Sequence, residues 1–267
     1  LSEQNIYVIL LCKPDRADTP MDLFYDHLPG LFLGIYKRNK ETWFLHNAGK
    51  NDFPSEEVMK YAKGIMIPGS PSQAYSTDEW VGKAREWLRE FHLKYTNTKY
   101  LGICYGEQLI CEALGGKVDA MQKKKEDPKF FVAKIEDIEL DAEFFEIPFV
   151  KKLGITIPPK LKMMQVHSDE VVAFPEGFKP VGKSESCNVE VIYSANGRYF
   201  GFQGHPEYMP DYFAARGVLF RAFMAKETVN PEYFKEKFQE IRSTIFSGDT
   251  DTYLNRKICY QFLKGTQ

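Results

Sequence analysis

Eight residues, Leu101-Gly-Ile-Cys-Tyr-Gly-Glu-Gln108, narrow the folds open to this chain more than any other stretch. The apolar run Lys99 to Ile103 reads as a strand. Glu107 to Leu114, stopped by Gly115 and Gly116, reads as a helix. Almost nothing connects them. Glycines two before and two after Cys104 fit a strand-to-helix turn too tight for side chains at those positions, the cysteine form of a nucleophile elbow. Such a turn lifts Sγ to the N-terminus of a helix, where unpaired N–H groups and the helix dipole favour a thiolate. A buried structural cysteine at a strand end is the plainer alternative, and it is the reading that suits Cys12 and Cys111.

The rest of the first half alternates in the same way. Asn5 to Cys12 is a buried strand entering the loop Lys13-Pro14-Asp15, Met21 to Leu28 is a helix ending near Pro29-Gly30, and Thr42 to Leu45 is a second strand. Ser55 to Ala62 suggests a helix with Ser55 as cap and Gly64 as stop; Gly64 to Ile67 is then a strand broken by Pro68-Gly-Ser-Pro71. Ser76-Thr-Asp-Glu79 has the form of a capping box, and Trp80, Val81, Ala84, Trp87, Leu88 and Phe91 fall on one 3.6-period face. Strands alternating with helices predict an α/β fold: a mostly parallel central sheet with helices on both faces, and a site at the carboxyl ends of the strands.

Strands are denser in the second half, over Phe130 to Leu140, Leu161 to Val166, Glu190 to Tyr193 and Tyr199 to Gln203. The end returns to helix, over Asp211 to Ala225 and along the face Phe234, Phe238, Ile241, Ile245 that follows Asn230-Pro231-Glu232. No repeat, low-complexity tract or linker divides the chain. One domain over 1–267 is expected, with a helical C-terminal extension at about 226–267.

Composition removes several function classes. Apolar residues make up 43% and charged residues 27% of the 267, which provides for a full core and excludes a disordered chain, a collagen-like fibre or a coiled-coil rod. Lys+Arg (35) and Asp+Glu (37) nearly cancel to a net charge of -2, so no bulk charge selects nucleic acid or an anionic membrane. Lys123-Lys124-Lys125 beside Glu126-Asp127 reads as a solvated loop, since no aromatic residues interleave with the lysines. Tyr7 to Cys12 is far short of the roughly 20 residues that span a bilayer, and Leu1 to Asn5 lacks the form of a signal peptide. Five cysteines, an odd number without tight pairs, suit a reducing compartment. A cytoplasmic location is expected.

A thiolate nucleophile needs a proton acceptor and a group that orients it. Gln203-Gly204-His205-Pro206-Glu207 follows a strand and sets a carboxylate two residues beyond an imidazole, on the same face if the chain stays extended. Pro206 favours an extended His205. His27, His46 and His92 read as surface residues. Gly-x-Ser-x-Gly, HExxH, Walker A and Gly-x-Gly-x-x-Gly patterns are absent from the sequence. Cys104, His205 and Glu207 could in principle ligate a metal, but an elbow exposes a single thiolate without the second cysteine such sites usually carry. Neither a metal nor a cofactor is expected.

Taken in order, Pro68-Gly-Ser-Pro71, Gly-Ile-Cys104-Tyr-Gly-Glu-Gln and Gln-Gly-His205-Pro-Glu207 resemble the class I glutamine amidotransferase family, over roughly Asn5 to Ala225. Within it the chain looks like the free-standing γ-glutamyl peptidases of plants. The shared features are Glu41-Thr-Trp43 with Asp52-Phe-Pro54, Tyr75 after the Gly-Ser-Pro loop, His167-Ser-Asp-Glu-Val171, and Gly204 where ammonia-donating members more often carry Phe. The resemblance implies a flavodoxin-like architecture and catalytic roles for Cys104, His205 and Glu207. It also implies an oxyanion hole from the backbone N–H groups of Ser70 and Tyr105, and substrate contacts from Gln108 and the backbone near Val166 and Ser168. Many relatives have Gly at the position of Ser70, although the amide is retained. A plain helix residue remains the alternative for Gln108, and a structural role is the expectation for His167.

The activity so implied is hydrolysis or transfer of γ-glutamyl amides, of peptides, glutathione or its conjugates, through a Cys104 thioester. The partner is then a small-molecule substrate, with neither nucleic acid nor membrane. Two alternatives stand beside it: a glutaminase subunit supplying ammonia to a separate synthetase, and a regulatory protein on the same fold, which the intact Cys104, His205, Glu207 set argues against. The residues after Glu207 read as helices rather than a fused synthetase domain. The missing side chain at Gly204 is expected to open space on the leaving-group side of the scissile bond.

Overall fold

The computed structural model describes residues 5–15, 20–127, 130–208 and 250–265. Its centre is a nine-stranded sheet. In spatial order it holds β2 (Glu41–Asn47), β1 (Asn5–Leu11), β3 (Ala62–Ile67), β4 (Lys99–Ile103), β11 (Tyr199–Phe202), β10 (Val191–Ser194), β9 (Phe178–Lys183), β6 (Val132–Leu140) and β7 (Lys160–His167). The first five strands are parallel to one another, as expected of the sheet's core, and the last four continue the same sheet with antiparallel pairings. β5 (Lys117–Ala120) and β8 (Asp169–Ala173) form a separate antiparallel pair.

Alternation along the buried strands builds two cores. Tyr7, Ile9 and Leu11 of β1, with Leu101, Ile103, Phe200 and Phe202, pack against α1 (Pro20–Tyr36) and the C-terminal helix α8 (Thr252–Lys264). Ile6, Val8 and Leu10, with Ile65, Ile67 and Tyr100, pack against α3 (Glu79–Lys94) and α4 (Tyr105–Ala113). The sheet therefore carries helices on both faces, as the alternation of strands and helices predicts. α8 lies inside the expected C-terminal extension and joins the first core through Ile258, Cys259, Phe262 and Leu263. The helices expected over Asp211 to Ala225 and around Phe234 to Ile245 lie outside the described residues. Among the described residues no helix is long and apolar enough to cross a membrane.

Local expectations fail in three places, each for a packing reason. α1 runs straight through Pro29 and Gly30, because Leu28, Phe32 and Tyr36 recur at four-residue spacing and are buried against the sheet. That stripe outweighs the one backbone hydrogen bond a proline removes. Ser55 does cap α2 (Glu56–Met59), its Oγ accepting from the Val58 N–H, but Gly64 is not the stop. It sits within β3, where a β-carbon would lie 2.5 Å from Cδ1 of Leu263 on α8. The capping box at Ser76 does not form: its Oγ accepts from the Asp78 N–H and α3 begins only at Glu79, which pairs with Lys83 at 2.6 Å.

Candidate active site

The tightness of the turn at Cys104 follows from its two glycines. A β-carbon at Gly102 would lie 2.5 Å from the Glu107 nitrogen, and one at Gly106 would lie 1.8 Å from the carbonyl oxygen of Ile67. Between them Cys104 takes φ 52° and ψ −110°, a conformation that side chains rarely adopt. Its N–H donates to the Phe202 carbonyl at 2.7 Å, and its carbonyl accepts from the Gln108 N–H at 3.2 Å, so β11 and α4 hold the turn from either side. Sγ lies 3.8 Å from the carbonyl oxygen of Val166 at the end of β7.

His205 leaves β11 with its N–H bound to the Met164 carbonyl, 2.8 Å away. Its Nδ1 donates to Oε1 of Glu207 at 2.8 Å, and both side chains are buried. That bond fixes the ring and leaves Nε2 as the atom free to exchange a proton. Burial opposes a charge on this imidazole, yet Glu207 and the Cys104 thiol outweigh it and raise its pKa to about 10. Two further groups steady the pair, and neither was singled out from the sequence. The Tyr208 ring stacks on the imidazole with centroids 4.4 Å apart and planes 14° apart. Arg256 of α8 donates to the carbonyls of Pro206 and Glu207. An aromatic residue directly after Glu207 was a signal available in the sequence; a contact arriving from α8 was not.

The loop after β3 closes over this pair. A β-carbon at Gly69 would lie 3.1 Å from Cε1 of His205 and 3.8 Å from Cβ of Cys104, so the loop runs against both residues and a side chain there would press on the imidazole. Ser70, next in the chain, turns its hydroxyl away to donate to the Cys12 carbonyl at 2.6 Å and accepts from the Ser72 N–H. Among the described residues, the N–H groups of Ser70 and Tyr105 donate to no other protein group. Cys104, His205, Glu207, Val166 and the Ser70 loop are thus brought together.

The other expected substrate contacts are placed differently. Both hydrogens of the Gln108 amide are engaged inside the protein, with the Asp169 carbonyl at 3.0 Å and Oε1 of Gln203 at 2.9 Å, so anything it offers a ligand would come from its carbonyl oxygen. Ser168 lines a hollow of about 250 Å³ together with Ser72, Gln73, Lys124 and Asp169. Lys124 is not the solvated loop residue the sequence suggests: it stands in the short helix α5 (Gln122–Glu126) and turns inward to Oδ1 of Asp169 at 2.7 Å, which also accepts from Tyr75. His167 is buried, its Nδ1 bonded to the Asp169 carbonyl at 3.1 Å, and burial pushes its pKa down to about 4. His46 pairs with Asp52 and His92 bonds to the Leu88 carbonyl; both are half-buried rather than on the surface. Gly204 faces Gln165 and Met163 of β7, not an open leaving-group space.

The Glutamine amidotransferase class-I family matches residues 35–225. Gamma-glutamyl peptidase 4 of Arabidopsis thaliana is 28% identical over 265 residues, covering 99% of this chain and 97% of that protein. Gamma-glutamyl peptidase 3 of the same plant is 29% identical over 236 residues, with 88% of each covered. A glutamine amidotransferase crystal structure from Thermotoga maritima superposes with a TM-score of 0.65 at 15% identity, over 98% of this chain and all of the other.

Proposed function

The chain belongs to the Glutamine amidotransferase class-I family, and from that premise we infer that it is a hydrolytic enzyme cleaving γ-glutamyl amide bonds through a Cys104 thioester. The observation that carries this reading is the elbow itself: a cysteine held at φ 52° at the head of α4, facing an imidazole that Glu207 orients.

The geometry supports the following steps. His205, charged beside a sulfur anion, leaves Cys104 free to attack the γ-carbonyl carbon. Negative charge develops on the carbonyl oxygen, and the N–H groups of Tyr105 and Ser70 are the fixed donors for it. As the tetrahedral intermediate collapses, the C–N bond breaks and Nε2 of His205 gives its proton to the departing amine. Water then loses a proton to the same nitrogen and attacks the thioester, releasing glutamate and restoring the thiolate–imidazolium pair. Glu207 keeps the ring in register in both halves and stabilises its charge. The backbone at Val166 and Ser168 and the carbonyl oxygen of Gln108 are the groups that would hold the glutamyl α-amino and α-carboxylate.

The relatives named gamma-glutamyl peptidase, which run nearly the length of this chain, support a γ-glutamyl substrate. The test is release of glutamate by the purified chain alone from glutamine, glutathione, glutathione conjugates and γ-glutamyl dipeptides. Turnover of the peptides or conjugates is expected, abolished in Cys104→Ala, with the glutamyl adduct of a trapped reaction found on Cys104. Undiminished turnover in Cys104→Ala would end the thioester reading. Cleavage of glutamine only, accelerated by a second protein, would make the chain an ammonia donor instead.

A further inference from the structure

Behind the cleft floor, three side chains that the reaction does not use turn toward one another. They are His167 at the end of β7, and Cys187 and Glu190 in the segment between β9 and β10. A ring nitrogen of His167, Sγ of Cys187 and a carboxylate oxygen of Glu190 all lie within 4.8 Å of one another. All three residues are buried, with exposures of 6%, 2% and 0%.

Two of the three residues keep an atom that no protein donor or acceptor among the described residues satisfies. A backbone carbonyl can only accept, so the contact of His167 Nδ1 with the Asp169 carbonyl puts the hydrogen on Nδ1 and the lone pair on Nε2. Nε2 is buried and has no hydrogen-bond partner among the described residues. On Glu190, Oε1 accepts from Ser184 at 2.7 Å and the Gln165 amide approaches the carboxylate, while Oε2 is buried without a donor in full hydrogen-bond geometry among the described residues. The Cys187 thiol donates to the Val189 carbonyl at 3.3 Å and lies 3.7 Å from Oε2 of Glu170, so binding a metal would exchange that S–H bond for a sulfur–metal bond. Buried polar groups are nearly always hydrogen-bonded, so two such atoms in one buried cluster call for a partner.

We propose that His167, Cys187 and Glu190 bind a divalent transition-metal ion, for which zinc fits best. One imidazole nitrogen, one thiolate and one carboxylate form a borderline-soft donor set of the kind that takes zinc, with water completing a tetrahedron. Ligands at bond lengths of about 2.0–2.3 Å stand about 3.3–3.8 Å apart, so the three donors draw inward on binding. The thiol gives up its proton to solvent as the sulfur–metal bond forms, and the ion replaces that proton as the sulfur's partner. His167 lies between Val166, which faces Cys104, and Ser168 at the cleft rim. The ion would therefore tie the cleft floor to the segment before β10, a bracing role separate from the Cys104–His205 chemistry.

The test is elemental analysis of the full-length protein, produced with added zinc and then dialysed against metal-free buffer. One zinc per chain is expected in wild type and in Cys104→Ser, with loss of it in Cys187→Ser and His167→Gln. Cobalt substituted into Cys104→Ser should give a thiolate-to-cobalt charge-transfer band and tetrahedral d–d absorption, and a strong chelator should lower its Tm. No bound zinc in wild type, together with a cobalt spectrum free of sulfur character, would overturn the proposal. So would a band that survives in Cys187→Ser but vanishes in Cys104→Ser, since that places the metal on the nucleophile. If Cys187→Ser does not fold, the stoichiometry of wild type and the cobalt spectrum of Cys104→Ser decide the matter alone.

Discussion

A β-carbon on Gly204 would lie 2.5 Å from Nε2 of Gln165 and 2.7 Å from Sδ of Met163. The position next to His205 therefore faces β7, and its lack of a side chain serves close packing of the segment after β11 on that strand. It does not widen the leaving-group side.

Gly204→Phe is accordingly expected to reduce kcat/KM for glutamine and for a γ-glutamyl dipeptide together, with a fall in Tm. Overpacking of this kind typically costs about 1–3 kcal/mol. Gly204→Ala should be far milder, because the atoms it meets are the far ends of flexible side chains. Measuring both substrates in both variants checks the assignment. A selective loss of the dipeptide, with glutamine untouched, would return Gly204 to the leaving-group side.

Ser70 separates an amide from a hydroxyl. The hydroxyl is committed to the Cys12 carbonyl and the Ser72 N–H, and so anchors the loop rather than the substrate. Ser70→Gly should retain most turnover while losing about 0.5–1.5 kcal/mol of stability. Ser70→Pro deletes the N–H, and loss of one oxyanion donor typically lowers turnover by about 10²–10³. Steady-state kinetics with denaturant unfolding of both variants will distinguish the two roles. A collapse of activity in a folded Ser70→Gly would assign the work to the hydroxyl.

How much of this was legible in the sequence depends on where each constraint is written. At the elbow, backbone crowding is recorded as residue type at Gly102 and Gly106, so a few letters specify a turn. The parallel strands β1, β3 and β4 are apolar runs between clear breaks, and the buried face of α3 repeats at helical spacing. β9 is hidden in the sequence because Pro180 sits within it. The strand tolerates that residue because β6 pairs only with Gly182 and Lys183, leaving Pro180 bonded from the β10 side alone. Lys124 reads as solvated because its partner, Asp169, is distant in sequence. The His167, Cys187, Glu190 group is invisible for the same reason, being assembled only when the second half folds.

The pH response of His205 follows from its partners. Its pKa is raised to about 10 from 6.5, so the stabilisation of the charged ring is complete below about 6.5 and is lost as pH climbs through about 10. An imidazolium is also what donates the proton to the leaving amine. The alkaline fall in kcat/KM is therefore expected near pH 10. In Glu207→Gln the largest favourable contribution disappears while burial still opposes the charge. That limb should then shift to lower pH, and turnover at pH 7 should drop. A pH–rate profile in which the limb stays put in Glu207→Gln would show that the carboxylate does not hold the charge on this ring.

Cys104 itself carries the last expectation, because its backbone is strained for every residue except glycine. At φ 52° and ψ −110° a side chain costs on the order of 1–3 kcal/mol, whether cysteine or alanine. Glycine avoids that cost, although the greater freedom of its unfolded chain returns about 0.4–1 kcal/mol. Cys104→Gly and Cys104→Ala both remove the sulfur and should be equally inactive. The glycine variant should nevertheless be the more stable by about 1 kcal/mol, a Tm difference of about 2–4 °C for a chain of this size. Thermal unfolding of the two side by side measures the strain held at the nucleophile. If alanine proves the more stable, the elbow stores no such strain, and the placement of the thiol is set by the flanking glycines alone.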